Sequence, residues 1–253
     1  MRKKVLVRGP FLTRSGYGEH ARFVVRALRS REDLFNIYLI PVGWGQTGWI
    51  ANDDEEREWL DRKVSKTALA IHNKEQFDMS VQVTIPNEWE KMAPINIGVT
   101  AGIETTKVAP VWLERANMMD KVITISEHSK EGFVKTVFEG QNKQTGAPMT
   151  LKCDTPVEIV NYPIKSYDNL PELNLELDFD FNYLVVAQNG PRKNLGNTIK
   201  WFVEENIDQK VGLVVKAFIK NGAILDRQHA EAMISGLLKN YPERKCKVYL
   251  LHG

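Results

Sequence analysis

The chain has 253 residues, 43% of them hydrophobic and 26% charged, with 34 Lys and Arg against 32 Asp and Glu for a formal net charge of +2. That apolar content can bury a core and excludes a disordered chain. The near-cancelling charge excludes a protein that binds nucleic acid through bulk basicity.

The basic start Arg2-Lys3-Lys4 looks like the front of an export signal, but Arg8 and Pro10 break the apolar run behind it. Val5-Leu6-Val7 is therefore read as a first strand. Gly9-Pro10 stops it, and a loop over Phe11–Gly18, holding Gly16-Tyr17-Gly18, follows. Ala21, Phe23, Val24, Val25, Ala27 and Leu28 then fall at helical spacing. A strand over Phe35–Val42 closes a βαβ unit, which imposes a parallel sheet with a right-handed crossover. Further strands are predicted at Ser80–Ile85, Ile95–Ala101, Val122–Ile125 and Val157–Val160, with helices at Asp54–Lys63, Val111–Met119 and Glu127–Phe138. Gln141–Gly146 reads as a hairpin tip or loop.

From Lys165 to Phe181 the chain turns acidic and carries Pro171, the texture of a linker. Alternation then restarts. Strands are predicted at Tyr183–Ala187, Val211–Phe218 and Cys246–Leu251, and helices at Asn197–Glu205 (buried stripe Ile199, Trp201, Phe202) and Ala223–Asn240. The expected fold class is α/β: a complete Rossmann-like doubly wound parallel sheet over residues 1–165, an acidic linker over 166–181, and a partial second Rossmann-like sheet over 182–253. Three strands would leave an apolar edge unpaired. The chain is therefore expected to be a fragment of a longer protein, with that edge open to self-association. Cys153 and Cys246 are far apart and lack ligand spacing, which supports neither a disulfide framework nor a zinc site. No apolar run approaches the ~18 residues that cross a bilayer, and a cytoplasmic protein is expected.

Three segments carry candidate chemistry. Gly16-Tyr17-Gly18 lets backbone approach a ligand ahead of a helix N-terminus, which suits phosphate; an ordinary βα turn is the plain alternative. In Gln188-Asn189-Gly190-Pro191-Arg192-Lys193-Asn194-Leu195, two cations stand at a helix start, where the macrodipole disfavours them unless an anion is bound. The plain alternative is a solvated basic turn. Glu104, Thr105 and Thr106 follow a strand end, where open α/β sheets bind ligands, and suit sugar hydroxyls. They also read as an exposed loop. The five histidines show no metal spacing. His20, after the glycine loop, could line a cleft but is assigned a capping or surface role, Ser126 a helix cap, and Trp112 and Trp201 core positions, while Trp44 and Trp49 suit an exposed aromatic surface.

Ser15-Gly16-Tyr17-Gly18, Ala101–Thr106, Pro110-Val111-Trp112, Val122–Ser126 and Pro191-Arg192-Lys193-Asn194-Leu195 together resemble the front part of a GT-B glycosyltransferase of the family-4 type. The resemblance implies transfer, with retention, of a hexose from a nucleoside-diphosphate sugar to a carbohydrate or other hydroxyl acceptor. It implies an N-terminal acceptor domain and a C-terminal donor domain, and no metal or other cofactor. By that likeness Lys193 contacts donor phosphate. Gln188 stands where many relatives carry arginine, Arg192 supplies charge, and Gly16, Tyr17 and Gly18 approach donor or acceptor. Glu104, Thr105 and Thr106 are taken as acceptor-side residues. Glu131 and Glu139 have the spacing of the family's paired glutamates but lie in the wrong domain, so that motif and transferase activity are expected to need sequence beyond Gly253. No catalytic residue is assigned. The alternative is a non-catalytic carbohydrate- or nucleotide-binding module; a dinucleotide enzyme is disfavoured because no glycine fingerprint follows Val7.

Overall fold

The computed structural model describes residues 2–51, 53–141, 146–164, 166–168, 170–220 and 223–253. The chain divides into two compact units, one of residues 1–45 and 49–165, the other of 46–48 and 166–253. Each holds its own parallel sheet.

In the first unit, β1 (Lys3–Gly9) leads into α1 (Gly16–Arg29), then β2 (Phe35–Pro41), α2 (Glu55–His72), β3 (Met79–Val83) and β4 (Ile95–Val99). There follow α3 (Pro110–Ala116), β5 (Lys121–Thr124), α4 (Glu127–Val134), the pair β6 (Val137–Gln141) and β7 (Pro148–Lys152), and β8 (Val157–Ile159). Six of these strands form one sheet in the order β2-β1-β3-β4-β5-β8, parallel throughout. Helix starts are capped as the sequence allows. Ser15 accepts from the Gly18 amide, Asp54 from that of Arg57 and Ser126 from that of Ser129, each satisfying an otherwise orphan donor. Glu19 in the first turn of α1 and Arg26 and Arg29 in its last complement the helix dipole.

Residue alternation sets which sheet face packs where. Val5, Val7, Ile37, Leu39, Val81, Val83 and Val99 pack with Ala21 and Val25 of α1 and with Trp59 and Leu60 of α2. A second cluster joins Trp89, Val108, Trp112, Leu113, Val122, Phe133 and Val157 under α3 and α4.

Two expected elements differ. The helix predicted over Glu127–Phe138 ends at Val134, and Val137–Gln141 instead pairs antiparallel with Pro148–Lys152. Phe133, Val134, Val137 and Phe138 mimic a helical stripe in sequence. In the fold, the Thr136 hydroxyl donates to the Gly132 carbonyl and accepts from the Val108 amide, turning the chain away. The hairpin this creates flanks the expected tip, of which residues 142–145 lie outside the described residues. The helix predicted at Asp54–Lys63 continues to His72. Its inner face includes Thr67, whose hydroxyl donates to the Lys63 carbonyl and accepts from the Leu39 amide, so a polar residue interrupts the apolar periodicity.

The second unit contains β9 (Asn182–Gln188), α5 (Leu195–Glu205), β10 (Gly212–Phe218), α6 (Ile224–Leu238) and β11 (Lys247–His252), with parallel sheet order β11-β10-β9. Leu195, Ile199, Leu213, Val215, Ala217 and Ile234 form its core. Trp201, expected inside, is 59% exposed. The helix buries Leu195, Ile199 and Val203, and at 100° per residue Trp201 points away from that stripe. Asp178 in the preceding acidic stretch is tied down by Lys247 at 2.5 Å and by the Tyr249 hydroxyl at 2.9 Å. Among the described residues no helix is long and apolar enough to cross a membrane, and both cysteines are free.

Candidate functional site

At the C-terminal ends of β1, β3 and β4, residues Gly16-Tyr17-Gly18 form the first turn of α1 rather than a loop before it. Gly18 has a packing reason: a Cβ there would overlap the Thr13 carbonyl. No atom outside its chain neighbours lies within 4 Å of the place a Cβ would take on Gly16, so this backbone is open to approach. Buried Arg22 braces the preceding turn, its Nη1 donating to the Phe11 and Thr13 carbonyls at 2.8 and 3.0 Å while Glu19 holds its Nε.

The Tyr17 hydroxyl is 2.9 Å from Thr100 Oγ1 and accepts from the Ala101 amide at 3.2 Å. The first turn of α1 is thereby joined to the segment leading to Glu104. Burial pushes the Tyr17 hydroxyl above its ordinary pKa despite the Thr100 bond, and the Glu88 and Glu104 charges push the same way, so it stays protonated. Gly102 sits at φ +79°, a left-handed conformation that suits glycine, and Ser129 Oγ donates to the Ala101 carbonyl from α4. The segment is thus fixed at both ends. Beyond it Glu104, Thr105 and Thr106 are exposed, and the Thr105 hydroxyl donates to the Lys107 carbonyl at 2.7 Å. Thr84, one residue past the Val83–Val99 pairing and so beside Thr100, is fully buried with no partner for its hydroxyl.

The sequence reading missed what lies beneath Tyr17. His20 is buried, contrary to its assigned surface role. Its ring lies 6.1 Å from that of Tyr17 and edge-on to Tyr162 at 4.8 Å, with the Tyr162 hydroxyl 3.3 Å from Nδ1. Burial lowers its pKa to about 4, so it is neutral near pH 7. The i, i+3 spacing of Tyr17 and His20 offered one local signal; nothing local pointed to Tyr162. Trp44 stacks on Tyr17 at 4.2 Å, and Trp49 is exposed as expected.

In the second unit, Gln188 ends β9 and donates its side-chain amide to the Ile219 carbonyl at 3.1 Å. Pro191-Arg192-Lys193 form one 3-10 turn, exposed to solvent, and Asn194 in the left-handed region (φ 49°) starts α5. Asn tolerates that conformation better than most residues. Both cations therefore stand between a strand's C-terminal end and a helix start. At the same edge of this sheet, Asp226 accepts from the Ile219 and Lys220 amides and meets His252 Nε2 at 2.9 Å. Burial alone would raise the Asp226 pKa, but these bonds hold it below the ordinary carboxylate range. Among the described residues no cluster of three His, Cys, Asp or Glu is placed to hold a metal ion.

No protein-family profile matches this sequence, and no curated protein matches it. Among solved structures it is similar to MurG of Acinetobacter baumannii, at 11% identity and a TM-score of 0.43. That match covers 98% of this chain and 66% of the other, so the chain spans about two thirds of its length. The fold is α/β with two parallel sheets, six-stranded and three-stranded, one in each unit, the α/β organisation that the sequence led us to expect.

Proposed function

We propose that this chain belongs to a glycosyltransferase that moves a hexose, with retention, from a nucleoside-diphosphate sugar to a hydroxyl acceptor. The second unit takes the donor diphosphate and the first unit the acceptor. The observation that carries this reading is the exposure of Arg192 and Lys193 together on the turn between β9 and α5. The C-terminal edge of a parallel sheet is where open α/β proteins bind ligands. The start of α5, which its N-cap side chain leaves uncapped, and two cations suit a diphosphate, with Lys193 as a point charge and Arg192 as a planar fork. Neutralising the leaving diphosphate is the main electrostatic task of such a transfer. Orienting the acceptor hydroxyl is the other, and Glu104, Thr105 and Thr106 are suited to it, at the end of a segment that Tyr17 and Ser129 hold in place. Localisation in the cytoplasm belongs to the same reading.

A thermal-shift titration with UDP and GDP tests it. A nucleoside diphosphate is expected to stabilise the protein, because binding to the folded state alone raises stability. Lys193→Ala is expected to weaken that binding about tenfold to a hundredfold, the loss of a charged hydrogen bond of about 1.5–3 kcal/mol. Equal stabilisation of both proteins would remove Lys193 from the phosphate site.

A further inference from the structure

Helix α1 covers only part of its face of the first unit's sheet. Ala21 and Val25 are buried against β1 and β3, while Val24 and Leu28 are only partly covered. Beside that flank lies a cavity of about 470 Å³, walled by α1, by Val81, Val99 and Ile123 of the sheet, and by the chain at Val160–Pro163. Its volume lies within the ~300–1,000 Å³ of small-molecule sites.

The chemistry of the cavity is one-sided. From Met79 at the start of β3 and Leu28 in the last turn of α1, the walls are hydrocarbon. Polar groups occur only where His20, Asn161 and Tyr162 meet, at the end where the strands terminate. Asn161 Nδ2 already donates to the Ile125 carbonyl, and His20 is neutral and engaged by Tyr162. The walls offer water few of the partners that would hold it, and they offer a charged ligand no counter-charge. The polar end lies beside Tyr17, because His20 packs 6.1 Å from its ring, and the Tyr17 hydroxyl meets Thr100 at the start of the segment that leads to Glu104.

We propose that this cavity binds the alkyl portion of an amphipathic acceptor, whose hydroxylated head lies at the Tyr17–Thr100 end. The inference rests on the first unit being the acceptor side. An acceptor with a hydrocarbon tail fits both halves of the site. A free sugar would leave the cavity empty, and a plain hydrocarbon would leave the strand-end polar groups unused.

The test is calorimetric titration with hexyl, octyl and decyl glucosides below their micelle concentrations, with glucose alone as the tail-less arm. Each added methylene is expected to strengthen binding by about fourfold until the cavity is full, from ~0.8 kcal/mol per buried methylene. Ala27 is exposed on α1 and lines the cavity, so Ala27→Trp is expected to fill it and abolish the chain-length dependence. Val160→Trp does the same from the opposite wall should the first variant fold poorly. Leu225→Ala, at an exposed position in the second unit, is expected to change nothing. No alkyl glucoside binding, chain-length dependence that survives a folded filling variant, or concentration-dependent dimerisation abolished by filling would each overturn the proposal. The last would make a second copy the occupant. Nucleoside diphosphate binding is read separately, at Lys193, so its persistence alongside failed glucoside binding removes only this inference.

Discussion

Trp89→Ala is expected to cost the first unit about 3–5 kcal/mol, the range for removing a buried large aromatic. The indole is fully buried in the cluster under α3 and α4 and is among the largest fully buried side chains. Its place is made by a glycine across the sheet. A Cβ on Gly98 of β4 would stand 2.7 Å from three ring atoms, so Gly98→Val overpacks the same contact from the other side. The two substitutions act on one space. Their combined cost is therefore expected to fall well short of the sum, since neighbours that share a cavity do not add. Urea unfolding followed by tryptophan fluorescence reports the first unit, because Trp201 is the only tryptophan in the second. Additive costs would mean that Gly98 and Trp89 do not share that space. The contact matters for the site because Trp89 packs in the cluster with Val108, directly after the Gly102–Lys107 segment, and Ile103 within that segment packs against the same cluster.

The second large effect is on acid stability. Burial holds His20 near pKa 4 in the folded protein against about 6.5 when exposed. Between those values the unfolded chain binds the proton more readily, so stability falls as pH drops through that window and is complete above about 6.5. A shift of this size corresponds to about 3 kcal/mol at most. Tyr17 and Tyr162, the aromatic side chains that pack against the ring, supply no negative charge to offset it while protonated. His20→Gln keeps an acceptor for the Tyr162 hydroxyl and removes the titration. Its acid-induced loss of first-unit stability is expected to be smaller than that of the parent by about that amount. Glu32, held below the usual carboxylate range chiefly by Lys63, weakens both proteins alike on acidification and cancels in the difference. Identical pH profiles would mean that His20 is solvated in solution.

The parallel strands and most of the helices were legible because their signals are local. Val5–Val7, Val81–Val83 and Leu213–Val215 are short apolar segments between helical stripes, and Asp54 and Ser126 mark helix starts by chemistry any reader of the sequence can name, whereas the glycines after Ser15 hid the start of α1. Legibility failed where two patterns coincide. Phe133, Val134, Val137 and Phe138 fit a helix, but Thr136, bonded locally to the Gly132 carbonyl and across the fold to the Val108 amide, turns the chain away there. Trp201 lies midway in sequence between Ile199 and Val203, and two residues of rotation, about 200°, put it on the opposite face.

At the candidate site, Tyr17, Glu104 and Lys193 could be singled out from glycine and charge placement. The partnerships could not. Thr100 meets Tyr17 across 83 residues and Tyr162 meets His20 across 142, distances over which sequence pattern carries no register. The structure also adds a plain packing reason for Gly18, whose hydrogen takes the only space beside the Thr13 carbonyl, where the sequence had suggested ligand approach.

Backbone hydrogen exchange with and without a nucleoside diphosphate tests the central claim most directly, since it locates the ligand without assuming its sugar. Slowed exchange is expected at the amides of Asn189–Leu195, other than Pro191, and at the first turn of α5. Protection confined to other parts of the chain, or none at saturating nucleotide, would contradict it.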